Sequence, residues 1–446
     1  MIDIGLPSTS GEWHRTIWSL SWPVILANIT IPLVGLVDTA VMGRLPDPAY
    51  IGSVAVGTAI MTALYWLFGF LRMGTTGLTA QALGAGEKAE IGAIAVRAMM
   101  LALLLGGFMI AGQVVLRDGL LWLFEASERV EGLAADYFAI RVWGAPAMLI
   151  YMVELGILFG TRQMRATLVL SILLNVTNVI LDVLFVVGFG LGVQGVAAGT
   201  VISELFACTL GFFIIRRVLG DLRVPRPDRA LILLMDRLRS LFSVSANLVI
   251  RTFFVQLPFF TLTLVGAAFG DLTLAANAVL IHFFHVMAFS LDGYAHSVEA
   301  LAGYAYGARE PQRLRQVTVY ATLWAGGSAL LIGAIYLLAG ELVIALITQL
   351  PEVRATAASF LPWVALLPLL SVFAFLFDGI FIGTTRIVEL RNSMFLACAA
   401  YLAAVLATLD TWGNHGLWFA MCIFMSARSL LLGLLYPRIE RLAAST

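Results

Sequence analysis

Gly156-Ile157-Leu158-Phe159-Gly160-Thr161 returns 223 residues later as Gly379-Ile380-Phe381-Ile382-Gly383-Thr384. Two further pairs keep the same order. Leu83-Gly84-Ala85-Gly86-Glu87 matches Tyr306-Gly307-Ala308-Arg309-Glu310 at the same offset, and Gly192 and Gly195 match Gly413 and Gly416 at an offset of 221. Three ordered matches at a nearly constant offset mark a doubled chain. Its solvent is read from composition. Hydrophobic residues make up 61% of 446 positions and charged residues 12%, against about 25% charged in a soluble domain. A core of this size cannot hide that much apolar surface, so lipid must face it. A span needs about 20 apolar residues. Apolar runs between breaks predict twelve helices, near 16–42, 50–73, 92–115, 134–159, 168–188, 194–216, 240–265, 274–303, 317–346, 357–382, 392–409 and 415–436. Six spans per half return the chain to its starting side, which is the parallel-repeat arrangement of transporters. The expected organisation is an N-terminal lobe over 1–216, a basic linker over 217–239 containing Pro225 and Pro227, and a C-terminal lobe over 240–446.

Loop charge orients the chain. With the N-terminus in the cytoplasm, eighteen basic residues fall inside and only Arg44, Arg117, Arg129 and Arg354 outside, as the excess of cytoplasmic Lys and Arg requires. Both termini are then cytoplasmic, and a bacterial inner membrane is the expected location. The first apolar run is too long for a signal-peptide core and is read as a retained span. Cys208, Cys398 and Cys422 lie in apolar runs without paired spacing, which suits helix filling rather than a disulfide framework. No cofactor and no nucleic-acid partner are expected. A monomer is expected.

Charges at membrane depth are costly and mark pathways or proton relays. The deepest by position are Asp38, Asp182, Arg251, Asp292, Glu299 and Asp378, with Glu154 and Glu204 also inside runs and Arg72, Arg141 and Arg428 nearer the ends. Asn178 and Asp182 are four apart and share a helix face. An amide and a carboxylate on one face make a reasonable proton or cation site. If Asp38 faces Asp182, the two carboxylates cannot both ionise cheaply, and one holds a proton at neutral pH. The alternative is that each acid pairs with a polar neighbour and fixes helix packing. Gly195 and Gly199 form a small-xxx-small pair that permits close helix approach, and Thr200 can turn its hydroxyl inward. His282 and His285 share a face, with His296 further along, but no zinc-protease spacing accompanies them; helix contacts are the plainer reading, and no resident metal is expected. Pro23 and Pro32 are kink candidates in the first helix.

Pro32-Leu33-Val34-Gly35-Leu36-Val37-Asp38-Thr39-Ala40-Val41-Met42-Gly43 and Leu71-Arg72-Met73-Gly74-Thr75-Thr76-Gly77-Leu78-Thr79 resemble the DinF (damage-inducible protein F) branch of the MATE (multidrug and toxic compound extrusion) family, as does Val193-Gln194-Gly195-Val196-Ala197-Ala198-Gly199-Thr200. The resemblance runs along essentially the whole chain. It implies an all-α integral membrane fold, twelve transmembrane helices in two parallel six-helix lobes that form a V-shaped alternating-access transporter. It implies export of organic cations or other small amphiphilic compounds against inward H⁺ or Na⁺. By motif, the coupling cluster resembles Asp38, Tyr137, Asn178, Asp182 and Thr200, with Na⁺ an option at Asp38, Asn178, Asp182 and Thr200. Tyr137 enters through the resemblance alone. Pro23 resembles the first-helix proline proposed as a hinge that bends on protonation. Asp378 resembles an acid used for Na⁺ in the NorM branch. No matching acid stands in the seventh helix, where Arg251 and Gln256 lie instead, so an Arg251–Asp378 pair is expected at a possible C-lobe site.

The expected function is therefore a cation-coupled antiporter, with H⁺ favoured over Na⁺. A lipid-linked precursor flippase of the same broad superfamily is the alternative. It calls for basic residues lining a cavity, and Arg251 is the only clearly mid-helix base. An intramembrane enzyme is disfavoured, because neither a zinc-protease motif nor a Gly-x-Ser-x-Gly elbow occurs.

Overall fold

The computed structural model describes residues 5–43, 47, 49–122 and 127–445, apart from the side chains at 31–33, 36, 39 and 445. Pro32 and Arg44 thus lie outside the described residues. Every regular element described is helical. In hydrocarbon the backbone has no water to bond, so an apolar run must satisfy its own N–H and C=O groups as a helix. Eleven helical stretches among the described residues are long and apolar enough to cross a membrane. The remaining expected span falls on helix α1 (Ser10–Met42). Large side chains such as Leu338, Leu346 and Leu406 are exposed along these helices, a surface only lipid tolerates.

The chain divides into two compact units. The first holds Leu26–Ala82 and Glu87–Leu241; the second holds the stretch up to Ile25, Leu83–Gly86 and Phe242 onward. Helix α1 therefore belongs to the second unit through Ile25 and to the first from Leu26. The first unit also contains α2 (Ala49–Leu67), most of α3 (Phe70–Gly84), α4 (Lys88–Ala111), α5 (Gln113–Leu121), α6 (Glu128–Arg141), α7 (Ala145–Gly160), α8 (Met164–Asp182), α9 (Gly192–Asp221) and α10 (Arg229–Ile232). In it α9 packs on α6, α7 and α8, and α4 packs on α7. The prolines of the linker lie on α4: a Cβ at Gly92 would stand 3.3 Å from Pro225 O. The second unit contains most of α11 (Met235–Ala268), and α12 (Asp271–Gly307), α13 (Pro311–Ile347), α14 (Pro351–Gly383), α15 (Ile387–Trp412) and α16 (Asn414–Ser445). Its centre is α14, packed on α12, α13 and α16 and almost wholly buried from Ser371 to Gly383.

The sequence repeat is also a structural repeat. The stretches Glu128–Gly160 and Pro351–Gly383 are both 33 residues long. Left-handed residues recur in pairs: Gly86 (φ 74°) with Arg309 (φ 60°), Arg162 (φ 60°) with Thr385 (φ 52°), and Gly192 (φ 58°) with Gly413 (φ 54°). The first two pairs close helices with matching 6→1 bonds. Glu87 N donates to Ala82 O and Glu310 N to Ala305 O, both at 2.9 Å; this is the bond that satisfies orphan carbonyls at a helix end. The glycines of the opening motif explain its recurrence. A Cβ at Gly156 would lie 2.7 Å from Arg72 O, and one at Gly379 would collide with Ala295 O. Each brings one helix onto the bare backbone of its neighbour within its own unit.

Candidate cation-coupling site

Helix α8 carries Asn178 and Asp182 on one buried face. Gly199 on α9 makes room for the acid: a Cβ there would sit 2.6 Å from Asp182 Oδ1. Asp38 reaches the same place from α1, where its carboxyl and that of Asp182 are within hydrogen-bonding reach of each other. Asn178 donates from Nδ2 to Thr200 Oγ1 at 3.1 Å, and Thr200 donates on to Val196 O at 2.9 Å. Asp38 Oδ1, both oxygens of Asp182 and Asn178 Oδ1 are buried without a hydrogen-bond donor. Four acceptor oxygens thus gather without a formed hydrogen bond, and the Asn178 amide beside Asp182 is spent on Thr200. Two unit charges 4 Å apart repel by about 4 kcal/mol at an effective dielectric of about 20. A proton between the carboxyls, or a small cation among the oxygens, removes that repulsion.

Tyr137 on α6 is buried nearby, and its hydroxyl bonds Thr58 Oγ1 at 3.2 Å. One turn on, Arg141 grips Glu204 of α9 with two bonds of 2.9 and 3.0 Å. Its guanidinium stands 5.8 Å over the Tyr65 ring. This bidentate pair commits Arg141, which stands beside the Asp pair, to another acid. The sequence placed Glu204 inside an apolar run and Arg141 nearer a helix end, yet they are 63 apart and nothing in either segment announces the pairing. Asn175 Nδ2 also ties α8 to α1, through Thr30 Oγ1 at 2.7 Å. Directly after Asp182 the helix widens into a π-helical turn, Val183–Gly188. The repeat offset drops from 223 to 221 across this stretch, so the first half holds two extra residues where the turn lies. Such turns inside helices gather at functional sites.

Pro23 lies buried within α1, on the part that belongs to the second unit. Also in the second unit, Asp378 on α14 meets two arginines. Arg251 of α11 and Arg428 of α16 both donate to its Oδ2, the latter at 2.7 Å. The sequence anticipated Arg251; it placed Arg428 near a helix end and gave no sign of its pairing with Asp378, and the Arg428 guanidinium also stands 5.4 Å over Phe424. Two guanidiniums on one carboxylate repel a metal cation, so Asp378 is poorly suited to Na⁺. His282 and His285 sit on α12, and no group of three His, Cys, Asp or Glu gathers among the described residues.

Comparisons with known proteins agree with this architecture. The MatE family model matches twice, over 23–184 and 248–409, once in each half. The DNA damage-inducible protein F of Escherichia coli (strain K12) is 40% identical over 424 residues, covering 95% of this chain and 92% of that protein. The probable multidrug resistance protein NorM of Bacillus subtilis (strain 168) is 21% identical over 420 residues, 91% of each chain. The crystal structure of the Vibrio cholerae MATE transporter VcmN in the bent form superposes with a TM-score of 0.88 at 19% identity, over 97% of this chain and 98% of that one. The twice-matched family model and the full-length relative place this multi-pass integral membrane protein in the MatE family of multidrug and toxic compound efflux transporters.

Proposed function

We propose that this chain exports organic cations or other small amphiphilic compounds from the cytoplasm in exchange for inward-moving protons, with Asp38 and Asp182 as the proton-binding pair. The single observation that carries this reading is the cluster of buried acceptor oxygens on Asp38, Asp182 and Asn178 that lack a donor. An empty dianionic pair is unfavourable in low dielectric, and a proton relieves it. The pair thus has two states that differ in charge and in how α1 lies against α8. On this reading protonation changes how Asp38 is held beside Asp182, and Asp38 stands on α1, one helix from Ser10 to Met42. A coupling ion works only by binding two conformations with different affinity, and α1 is where such a difference would act. The relative named probable multidrug resistance protein NorM supports this substrate class. The loop charges, and the relative in Escherichia coli, support a bacterial inner membrane with both termini in the cytoplasm.

The same oxygens, with the Thr200 hydroxyl, would also suit Na⁺, which makes sodium the second reading. Export of a fluorescent organic cation from proteoliposomes under an imposed H⁺ or Na⁺ gradient separates the two. Proton-driven export that Asp38→Asn or Asp182→Asn abolishes is the expected result. Export driven only by Na⁺ would change the ion, and full activity in both variants would remove the pair from the mechanism. No export under either gradient would favour a lipid substrate.

A further inference from the structure

A third buried acid of the first unit takes no part in the site above. Glu154 on α7 has 0% exposure, and neither Oε1 nor Oε2 has a hydrogen-bond partner. Its carboxyl fills the hollow over Gly211 of α9, where a Cβ would lie 2.7 Å from Glu154 Cδ. The groups around it do not neutralise it. Tyr151, one turn earlier, is engaged with Ser171 of α8 at 3.2 Å. Cys208 of α9 is a free thiol. On α4, Arg97 pairs with Glu90 at 2.6 Å. On α9, Glu204 is held by Arg141. On α8, Asp182 belongs to the Asp38 pair and Arg165 lies in the first turn. On α3, Arg72 stands over Phe159.

The repeat shows that this crossing needs no acid. In the second unit, Phe377 stands at the position of Glu154 and packs over Gly433 of α16, one residue past Leu432, the equivalent of Gly211 at the offset of 221. There the phenyl ring fills the hollow, with Phe377 Cε2 3.2 Å from where a Gly433 Cβ would be. One scaffold is therefore closed by an apolar ring in one unit and by an unpartnered carboxyl in the other. An isolated carboxylate in low dielectric is costly enough that the group neutralises instead, and intramembrane acids retained without a structural need mark ion pathways.

Helix α9 orders the acids. Gly199 faces Asp182, Glu204 follows, and Gly211 faces Glu154. Twelve residues at 1.5 Å each separate the two glycines by about 18 Å. On the orientation drawn from loop charge, Arg216 and Arg217 put the Gly211 end toward the cytoplasm. We infer that Glu154 is a second proton-binding site, lying between the Asp38–Asp182 pair and the cytoplasm, which holds a proton while the α7–α9 crossing is dry and gives it to water when that crossing opens. This rests on the proton-coupled reading, but protonation of Glu154 is measurable without transport.

The test is infrared difference spectroscopy on the purified full chain in lipid bilayers, across a pH titration. Wild type should show the carbonyl stretch of a protonated carboxylic acid without hydrogen bonds, fading as pH rises. Glu154→Gln and Glu154→Leu should lose that band, and Asp38→Asn should keep it. The Leu variant guards against misfolding, since Phe377 shows that an apolar side chain is accepted at the crossing. In export assays Glu154→Gln should carry one proton fewer per substrate. A band that survives in both Glu154 variants, or one that no pH removes, overturns the proposal. Loss of export in Asp38→Asn with the Glu154 band intact leaves the two claims separately testable.

Discussion

At the scale of single residues, the buried charges separate into paired and unpaired. Arg141 and Glu204 satisfy each other through two bonds. Removing one partner strands the other, which costs about 3–5 kcal/mol, whereas replacing both with apolar residues is close to neutral. Glu204→Leu should therefore lower the melting temperature sharply in detergent, and adding Arg141→Met should recover most of the loss. Equal losses in the single and double variants would deny the pair. Gly199→Ala should act differently. Its methyl would displace the Asp182 carboxylate and cut proton-driven export while leaving expression near normal. Outside the membrane, Asp47 accepts from Ala49 N at 2.9 Å and from Arg129 Nε at 2.6 Å. The Ala49 amide, and after it Arg129, hold this carboxyl below the usual carboxylate range. Its contribution is thus present at neutral pH and lost as pH falls through the lowered value. Hydrogen-exchange protection of the first turn of α2 should drop under acid and in Asp47→Asn. Asp38, Asn178 and Asp182 were legible from depth and spacing alone. Arg141–Glu204 and Arg428–Asp378 were not, because their partners stand 63 and 50 residues apart and pairing across helices leaves no local trace. Tyr137 was reached only by resemblance, since a tyrosine in an apolar run has no periodic signature of function.

At the scale of elements, most spans read from the sequence lie inside the helices found but stop short of their ends, at 73 against Gly84 and at 436 against Ser445, because the helices run on past the apolar stretch into polar and charged turns. What periodicity could not show were interruptions within a span: the 3₁₀ turn Val142–Gly144 and the π-helical turn Val183–Gly188. Both lie beside buried charged side chains, Arg141 and Asp182. The repeated glycines were legible as a motif, and their purpose is steric. Gly379 leaves no room, because its neighbour is the backbone carbonyl of Ala295, while Gly326 on α13 faces open space. Gly379→Ala should therefore destabilise by about 1–3 kcal/mol through overpacking, and Gly326→Ala should be neutral or slightly stabilising. Comparing the two by thermal unfolding checks the close approach; equal melting points would contradict it.

At the scale of the whole molecule, the doubled sequence has become unequal in charge. The positions in α15 equivalent to Asp182 fall within Ala403, Ala404 and Val405, so the second unit has no counterpart to that acid. The acid at its centre, Asp378, is paired with two arginines. Proton-driven export should accordingly survive Asp378→Asn in whatever fraction of that variant folds. The most direct test of the proton-coupled account is the release of protons from purified protein when a transported organic cation is added in weakly buffered solution. If substrate and proton compete through the Asp38–Asp182 pair, wild type should release protons as it binds, and Asp38→Asn and Asp182→Asn should bind without release. Binding to wild type with no proton release, or equal release from the variants, would contradict it.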